Sequence, residues 1–382
     1  MTVLQDYSGF VAAGAKNLAP HSSSCGTPSM NSILPRRGLR MLNFCRNSGR
    51  LYSSERKHKS TRLCLGASSN RRNTGDNSFE IRDHNLNSST VDAERMFVLG
   101  MGYVGRHVAR NLVNKGWLVG GTCTTEDKKH QLQNQGLDAH VLNADNPADL
   151  RLFETIKEYT HLLVSIPPKA DIGDPLLRND KIIREKLAGG RLKWLCYLSS
   201  TSVYGDHKGA TVDENDELQG LTEGSKMRMA AEKGWLELGL SLNICAHVFR
   251  LGGIYGPGRS AVDTLLKGKA ESQSQKMRYS KKYTSRIHVD DVCEAVAASI
   301  ANPCSGRVYN IVDDDPTPRE HVFAFARRLI RTTSPHLGHR LPPLPVDHHI
   351  PPTSFAPSNR VSNARLKNEL GLTLMYPTYK TG

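Results

Sequence analysis

A chain of 382 residues with 38% hydrophobic residues can build the core of one large domain or two ordinary ones, which excludes a small disulfide-stapled scaffold. Its 51 Lys+Arg against 37 Asp+Glu give a formal net charge of +14. No apolar run approaches the roughly 20 residues that a membrane-spanning helix needs, so a soluble protein without a membrane partner is expected.

The positive charge is concentrated in residues 1–75, which hold twelve Lys/Arg against Asp6 and Glu55 and so carry +10, leaving +4 for the remainder. This stretch is rich in Ser (Ser22, Ser23, Ser24, Ser53, Ser54, Ser68, Ser69) and lacks apolar periodicity, so it cannot bury enough surface to offset the entropy of folding. Arg-rich, Ser-rich, acid-poor composition without a compact apolar segment reads as a disordered transit peptide, for the chloroplast stroma, with the mitochondrion as the alternative. A basic tail that binds nucleic acid is the competing reading. Residues 76–93 read as a linker. The eight cysteines never occur as CxxC and have no His pair at ligand spacing, so neither a metal site nor a disulfide framework is expected. His348 and His349, flanked by prolines, read as exposed loop.

From Glu94 strands and helices alternate. A short apolar run at 95–99 leads into Gly100-Met101-Gly102-Tyr103-Val104-Gly105, then a helical pattern with Val108, Leu112 and Val113 on one face, stopped at Gly116. A second strand follows at 117–123, then a helix at 126–135, a strand at 138–142, a helix at 147–159, a strand at 161–166 and a helix at 176–187. The pattern continues with a strand at 193–199, a helix at 223–238 and a strand at 243–251. This order predicts an α/β fold, a doubly wound parallel sheet with helices on both faces. Farther on, helices are expected at 261–267, 289–301 and 319–332 and a strand at 307–312, before a Pro-rich stretch at 335–357. The expected division is a Rossmann domain at 94–251 and a smaller C-terminal substrate lobe at 252–382.

The glycines carry the first chemical signal. In a strand–turn–helix setting, Gly100 permits the tight turn, Gly102 lets backbone approach a pyrophosphate, and Gly105 lets the helix pack close to the sheet. The pyrophosphate would lie on the positive end of the helix, against Met101, Tyr103 and Val104. An NAD-preferring site puts an acid at the end of the second strand; here Cys123 stands there, followed by Thr124 and Thr125, with Lys128 and Lys129 in reach of a 2′-phosphate. NADP is therefore expected, with NAD as the alternative. Glu126 and Asp127 read as ordinary charges of a helix start. Asp145, after the third strand, would accept from an adenine amino group or cap the next turn.

Four further runs follow in order: Tyr-Leu-Ser-Ser-Thr-Ser-Val-Tyr-Gly-Asp ending at Asp206, Phe-Arg-Leu-Gly-Gly-Ile-Tyr-Gly-Pro-Gly-Arg ending at Arg259, Arg-Ile-His-Val-Asp-Asp ending at Asp291, and Val-Tyr-Asn-Ile-Val-Asp-Asp-Asp ending at Asp315. Together with the glycine motif they resemble the extended or atypical short-chain dehydrogenase/reductases, the NAD(P)-dependent epimerase/dehydratase group acting largely on nucleotide-sugars, here as a plant organellar member. The resemblance implies a Ser or Thr after the fifth strand, which falls on Ser200, and a Tyr-x-x-x-Lys on the following helix. Matched through Met229-Ala-Ala-Glu232, the Tyr place is Gly224 and the Lys place Arg228. Tyr204/Lys208 and Tyr376/Lys380 have the spacing without a helix to stack them. The missing phenol removes the familiar acid/base, and a guanidinium does not deprotonate.

Ser200, Tyr204 and Arg228 are accordingly the catalytic candidates, with Tyr204 expected at a loop edge where it could supply a proton. Ser165, Ile166 and Pro167 would line the nicotinamide pocket. Arg250, Arg259 and Arg286 are candidates to hold a diphosphate or carboxylate, with Tyr255 beside them. For His288, Asp290 and Asp291 a helix-start role is expected, with Asp as the cap. The leading expectation is an NADP-dependent oxidoreductase, epimerase or dehydratase of a polar, phosphorylated or nucleotide-linked small molecule. A dinucleotide-binding sensor or scaffold without turnover is the second reading. RNA binding, known of some plastid members of the superfamily, is the third, and the +4 charge beyond residue 75 speaks against it. A homodimer is left open.

Overall fold

In the computed structural model the described residues are 94–268, 281–338, 341 and 358–382. The leader at 1–75, the linker at 76–93 and the pair His348 and His349 lie outside them.

The first strand, β1 (Arg95–Leu99), is apolar throughout Met96–Leu99, and all four of those residues are fully buried, as a strand covered on both faces requires. Beside it run β2 (Leu118–Cys123) and β3 (Asp138–Val141) on one side and β4 (His161–Val164), β5 (Trp194–Ser200) and β7 (Cys245–Leu251) on the other. The last strand of the sheet is β10 (Arg307–Ile311), paired with β7 from Arg307 opposite His247 to Ile311 opposite Leu251. All seven are parallel, in the order β10-β7-β5-β4-β1-β2-β3. The chain leaves β1 in one direction for β2 and returns on its other side at β4, so a switch point opens between the ends of β1 and β4, where parallel sheets bind ligands.

One face is covered by α1 (Tyr103–Asn114), α2 (Glu126–Gln133) and, from later in the chain, α7 (Val289–Ala301) and α9 (Ala364–Leu370). Val104, Val108, Ala109 and Leu112 of α1 share this core with Val292, Ala295 and Val296 of α7. The other face carries α3 (Leu152–Ile156), α4 (Asp180–Leu187) and α5 (Glu223–Ser241), with Phe153, Ile183, Ala231, Trp235 and Leu238 packed on Leu195 and Tyr197. Helix α5 starts at a capping box in which Thr222 and Ser225 exchange side-chain to backbone hydrogen bonds.

The division expected at residue 251 is redrawn by the structure. Residues beyond it supply the seventh strand and two covering helices, because β10 finds its hydrogen-bonding partner only on the open edge of β7. What stands apart is a small cluster of Leu265 on α6 (Ala261–Lys267) with Phe323, Ala326 and Ile330 on α8 (Arg319–Thr333). Two short parallel pairs complete the carboxyl side: β6 (Thr211–Val212) with β11 (Arg360–Val361), and β8 (Gly253–Tyr255) with β9 (Arg286–His288). Helix α7 is capped by the His288 ring, whose Nδ1 accepts from the Asp290 amide at 3.2 Å; the expected Asp cap is corrected, and Asp291 instead accepts from the Met375 and Tyr376 amides.

Candidate functional site

Gly100 ends β1 with φ +98, a conformation that glycine adopts without a Cβ penalty. Its amide donates to Thr122 Oγ1 at 2.9 Å and the Met101 amide to the Thr122 carbonyl at 2.7 Å, so β2 fixes the turn. A Cβ on Gly105 would sit 2.4 Å from the Gly100 carbonyl oxygen, which is why α1 can start close against β1 only with glycine there. Around Gly102 the opposite holds: an added Cβ would meet nothing within 4 Å. The amides of Tyr103, Val104 and Gly105 have no backbone acceptor among the described residues. An open backbone approach facing unpaired helix-start amides fits the diphosphate of a dinucleotide. The side chains of Met101 and Val104 are buried in the core, so these two residues offer backbone alone.

At the end of β2, Cys123 is buried, while Thr124 and Lys128 are exposed and joined by a Lys128 Nζ to Thr124 Oγ1 bond of 3.3 Å. Lys129 pairs with Glu126 at 3.2 Å on the same helix, which leaves Lys128 as the cation beside Thr124. Thr125 caps α2 through the Lys128 amide. Asp145 does not cap the next turn, where Asn146 accepts from the Ala148 amide, and its exposed carboxylate is paired with Lys169. Ser165 continues β4 with its amide on the Leu99 carbonyl at 2.8 Å, and Ile166 lies against Gly100, placing residues 165–167 along the switch point.

Ser200 ends β5 and caps the short helical turn Thr201–Tyr204, its Oγ accepting from the Ser202 amide at 3.2 Å. Helix α5 runs past this end of β5. Its Gly224 is exposed, with no described atom within 4 Å of an added Cβ, so the position where the resemblance implies a tyrosine carries no side chain of its own. One turn on, the half-buried Arg228 faces the buried hydroxyl of Tyr197. Burial raises the Tyr197 phenol far above its ordinary value, and the charge and hydrogen bond of Arg228 oppose that rise.

Two expected site residues belong instead to a buried network. Tyr204 is fully buried, its hydroxyl donating to Asn310 Oδ1 at 2.8 Å and accepting from Arg250 Nη1 at 3.0 Å. Arg250 is gripped by Glu232, and Glu232 also accepts from Ser199 Oγ at 2.5 Å. The loop-edge position expected for Tyr204 and the anion role expected for Arg250 are therefore corrected: both side chains spend their polar atoms inside the protein. Arg286 is corrected likewise, since it donates to the carbonyls of Asp315 and Thr317 at 2.9 and 2.8 Å and to Thr284 Oγ1 at 2.6 Å. Tyr255 is half-buried, with its hydroxyl on the Thr378 carbonyl at 3.3 Å and burial raising its phenol. Arg259 remains exposed, over the ring of Tyr103 at 5.2 Å. Sequence reasoning did not single out Glu232, Asn310 or Tyr197 for these contacts; a Ser and an Arg on neighbouring strands facing one helix were the only signal for Glu232. Among the described residues no group of three or more His, Cys, Asp or Glu is placed to hold a metal ion.

The parallel seven-strand sheet, flanked by helices and with a glycine turn at its switch point, is an NAD-binding Rossmann architecture. Residues 96–312 match the model of the NAD dependent epimerase/dehydratase family, and the chain belongs to that family. A solved structure of a functionally unknown conserved protein from Silicibacter pomeroyi DSS is 34% identical, with a TM-score of 0.61 over 76% of this chain and 96% of that one. Protein YeeZ of Escherichia coli K12 is 24% identical over 290 residues, 74% of this chain and 97% of that protein. A UDP-glucuronic acid 4-epimerase from Bacillus cereus, solved in complex with NAD, shares the fold at 15% identity, with a TM-score of 0.56 over 75% of this chain and 95% of that one.

Proposed function

We propose that this chain is an NADP-preferring oxidoreductase, epimerase or dehydratase acting on a polar, nucleotide-sugar-like metabolite with a non-standard active site. The observation that carries the reading is the open approach at Gly102 beside the unpaired amides of Tyr103, Val104 and Gly105. Those amides would hold the diphosphate, residues 165–167 would wall the nicotinamide side, and Thr124 with Lys128 would take a 2′-phosphate. The preference for NADP rests on the absence of an acid at Cys123 and the exposed Lys128 beside Thr124. When bound, the cofactor accepts or gives a hydride. Ser200 is the hydroxyl nearest in role to the family's catalytic group, and Arg228 would bind a ribose or a substrate anion rather than move a proton. The composition of residues 1–75 supports action in a plastid, with the leader removed.

A specific observation favours a second reading, dinucleotide binding without turnover: Gly224 brings no side chain of its own to the tyrosine place, and Tyr204 is locked in the core. Titration of the protein with NADPH and NADH, wild type against Gly102→Asp, tests the shared premise, and a panel of nucleotide-sugars and phosphorylated metabolites tests turnover. NADPH binding abolished by the substitution, followed by steady cofactor oxidation, is the expected result. Binding without turnover across the panel would favour the sensor, and no binding of either cofactor would remove both readings.

A further inference from the structure

The glycine turn is bridged from above by a second turn that the expected substrate lobe contributes. Tyr103, the first residue of α1 and the neighbour of Gly102, donates its hydroxyl to the Pro257 carbonyl at 3.1 Å. Residues 256–259 close on themselves, Arg259 N–H to the Gly256 carbonyl at 3.0 Å and Gly256 N–H to the Arg259 carbonyl at 3.3 Å. Gly256 has φ +145, and an added Cβ there would meet Val289 Cγ1 at 2.8 Å and Tyr103 Oη at 2.9 Å, so this turn is seated directly on the tyrosine. Its last residue, Arg259, is delivered over the face of the same ring, with Cζ 5.2 Å from the centroid.

Charges of both signs lie around the Tyr103 ring, that of Arg259 and those of the Asp263 and Asp290 carboxylates. Arg259 forms no ion pair with a described residue, and the nearby Asp263 carboxylate is engaged by the Ser260 amide and hydroxyl at 2.8 and 2.6 Å. Arg106 adds a second guanidinium in the first turn of α1, its Nε on the Gly102 carbonyl at 3.3 Å. Two guanidiniums and the positive end of a 12-residue helix thus converge on one glycine turn, and neither guanidinium forms an ion pair with a described carboxylate. Such a convergence is completed by an anion carrying more than one charge, and a guanidinium pre-ordered by an aromatic ring loses little freedom in forming two parallel bonds to it.

We propose that Arg259, held over Tyr103, clamps the diphosphate of the dinucleotide cofactor instead of binding a substrate anion. The inference rests on the dinucleotide reading above and adds to it a residue from the far side of the cleft, so that the turn at 256–259 closes over the cofactor. Arg259 is a binding residue here and takes no part in proton transfer.

Calorimetric titrations of the full chain with NADPH, NADH and adenosine 2′-monophosphate test it, using wild type, Arg259→Lys and Arg259→Ala. Adenosine 2′-monophosphate keeps the adenine end and lacks the diphosphate. The expected result is a loss of dinucleotide affinity of at least tenfold in Arg259→Ala, a smaller loss in Arg259→Lys, and unchanged affinity for the monophosphate, with the ligand-free melting temperature the same in all three. Dinucleotide affinity within twofold of wild type in Arg259→Ala would overturn the clamp while leaving the dinucleotide reading intact, as would an equal weakening of the monophosphate. Failure of the wild type itself to bind NADPH or NADH overturns both, and is recognised by its independence of residue 259.

Discussion

Arg250 Nη2 lies 2.8 Å from Glu232 Oε2, and Arg250 Nε reaches both carboxylate oxygens at 3.2 Å, with both side chains 6% exposed. The pair ties β7 to α5, and through Tyr204 and Asn310 it reaches β10, so four elements of the sheet's carboxyl side meet in one polar network. Breaking it leaves a buried charge without its partner. Glu232→Gln is expected to destabilise by about 3–5 kcal/mol, and Tyr204→Phe by about 1–3 kcal/mol because the Asn310 and Arg250 atoms lose a partner. Urea unfolding measures both. Cofactor affinity of folded Tyr204→Phe is expected to match wild type; a large loss at unchanged stability would return Tyr204 to the site.

The three glycines of the turn separate folding from binding. Gly105→Ala drives a Cβ to 2.4 Å from the Gly100 carbonyl oxygen and 3.0 Å from Val98 Cγ1, so α1 must shift, at about 1–3 kcal/mol. Gly102→Ala meets no neighbour, and its φ of −77 suits any residue, so stability should stay within about 0.5 kcal/mol. Its methyl would occupy the approach to the diphosphate. Melting curves with and without NADPH are expected to show a lower melting temperature for Gly105→Ala and a lost ligand-induced rise for Gly102→Ala. Equal behaviour of the two would contradict the division of roles.

Much of the fold was legible because its signals are local. The bounds expected for 261–267 and 289–301 coincide with α6 and α7, and β1, β5 and β7 fall within a residue or two of expectation, since apolar runs and helical periodicity are read within one segment. The domain division failed because the pairing of β10 with β7 joins residues some sixty positions apart, which no window of sequence contains. The glycine turn was likewise written in adjacent residues, whereas Arg250, Arg286 and Tyr204 were misplaced for one shared reason. Residue type shows what a guanidinium or phenol can bind; only the tertiary fold shows that Glu232, the Asp315 carbonyl and Asn310 have already bound them.

Ser200 tests whether the rebuilt site retains chemistry. Loss of its capping bond to the Ser202 amide costs about 0.5–1 kcal/mol, a change too small to empty the site. If the hydroxyl assists proton movement, Ser200→Ala lowers turnover by about 10²–10⁴-fold at saturating cofactor, and Ser200→Thr, which keeps both the hydroxyl and the cap, restores most of it. Steady-state cofactor oxidation by the three proteins is the measurement. Turnover in Ser200→Ala equal to wild type would remove Ser200 from the mechanism.

Asp313 gives the protein a pH signature of its own. It follows β10, is 2% exposed, and its Oδ2 is buried with no hydrogen-bond partner among the described residues. Burial pushes its carboxyl up to about 7, with Arg286 opposing and the charges of Asp315 and Asp314 adding to the rise. Between pH 4 and 7 the native state thus keeps a proton that the unfolded chain, at an ordinary 3.8, has released. The stabilising contribution is complete below the unfolded value and is lost as pH rises through the folded one. His161 and His247 run the other way, since burial pushes both down to about 4 and their contribution is lost as pH falls below 6.5. The two effects overlap in the wild type and separate in Asp313→Asn, which retains the histidines and the acceptor for the Asp315 amide. Stability of Asp313→Asn relative to wild type is expected to grow by about 2–3 kcal/mol between pH 5 and pH 8, at 1.36 kcal/mol for each unit crossed below 7. Urea unfolding of both proteins at pH 5, 6.5 and 8 reads this difference directly, and a difference constant across the three would mean that Asp313 is ionised in the native protein throughout.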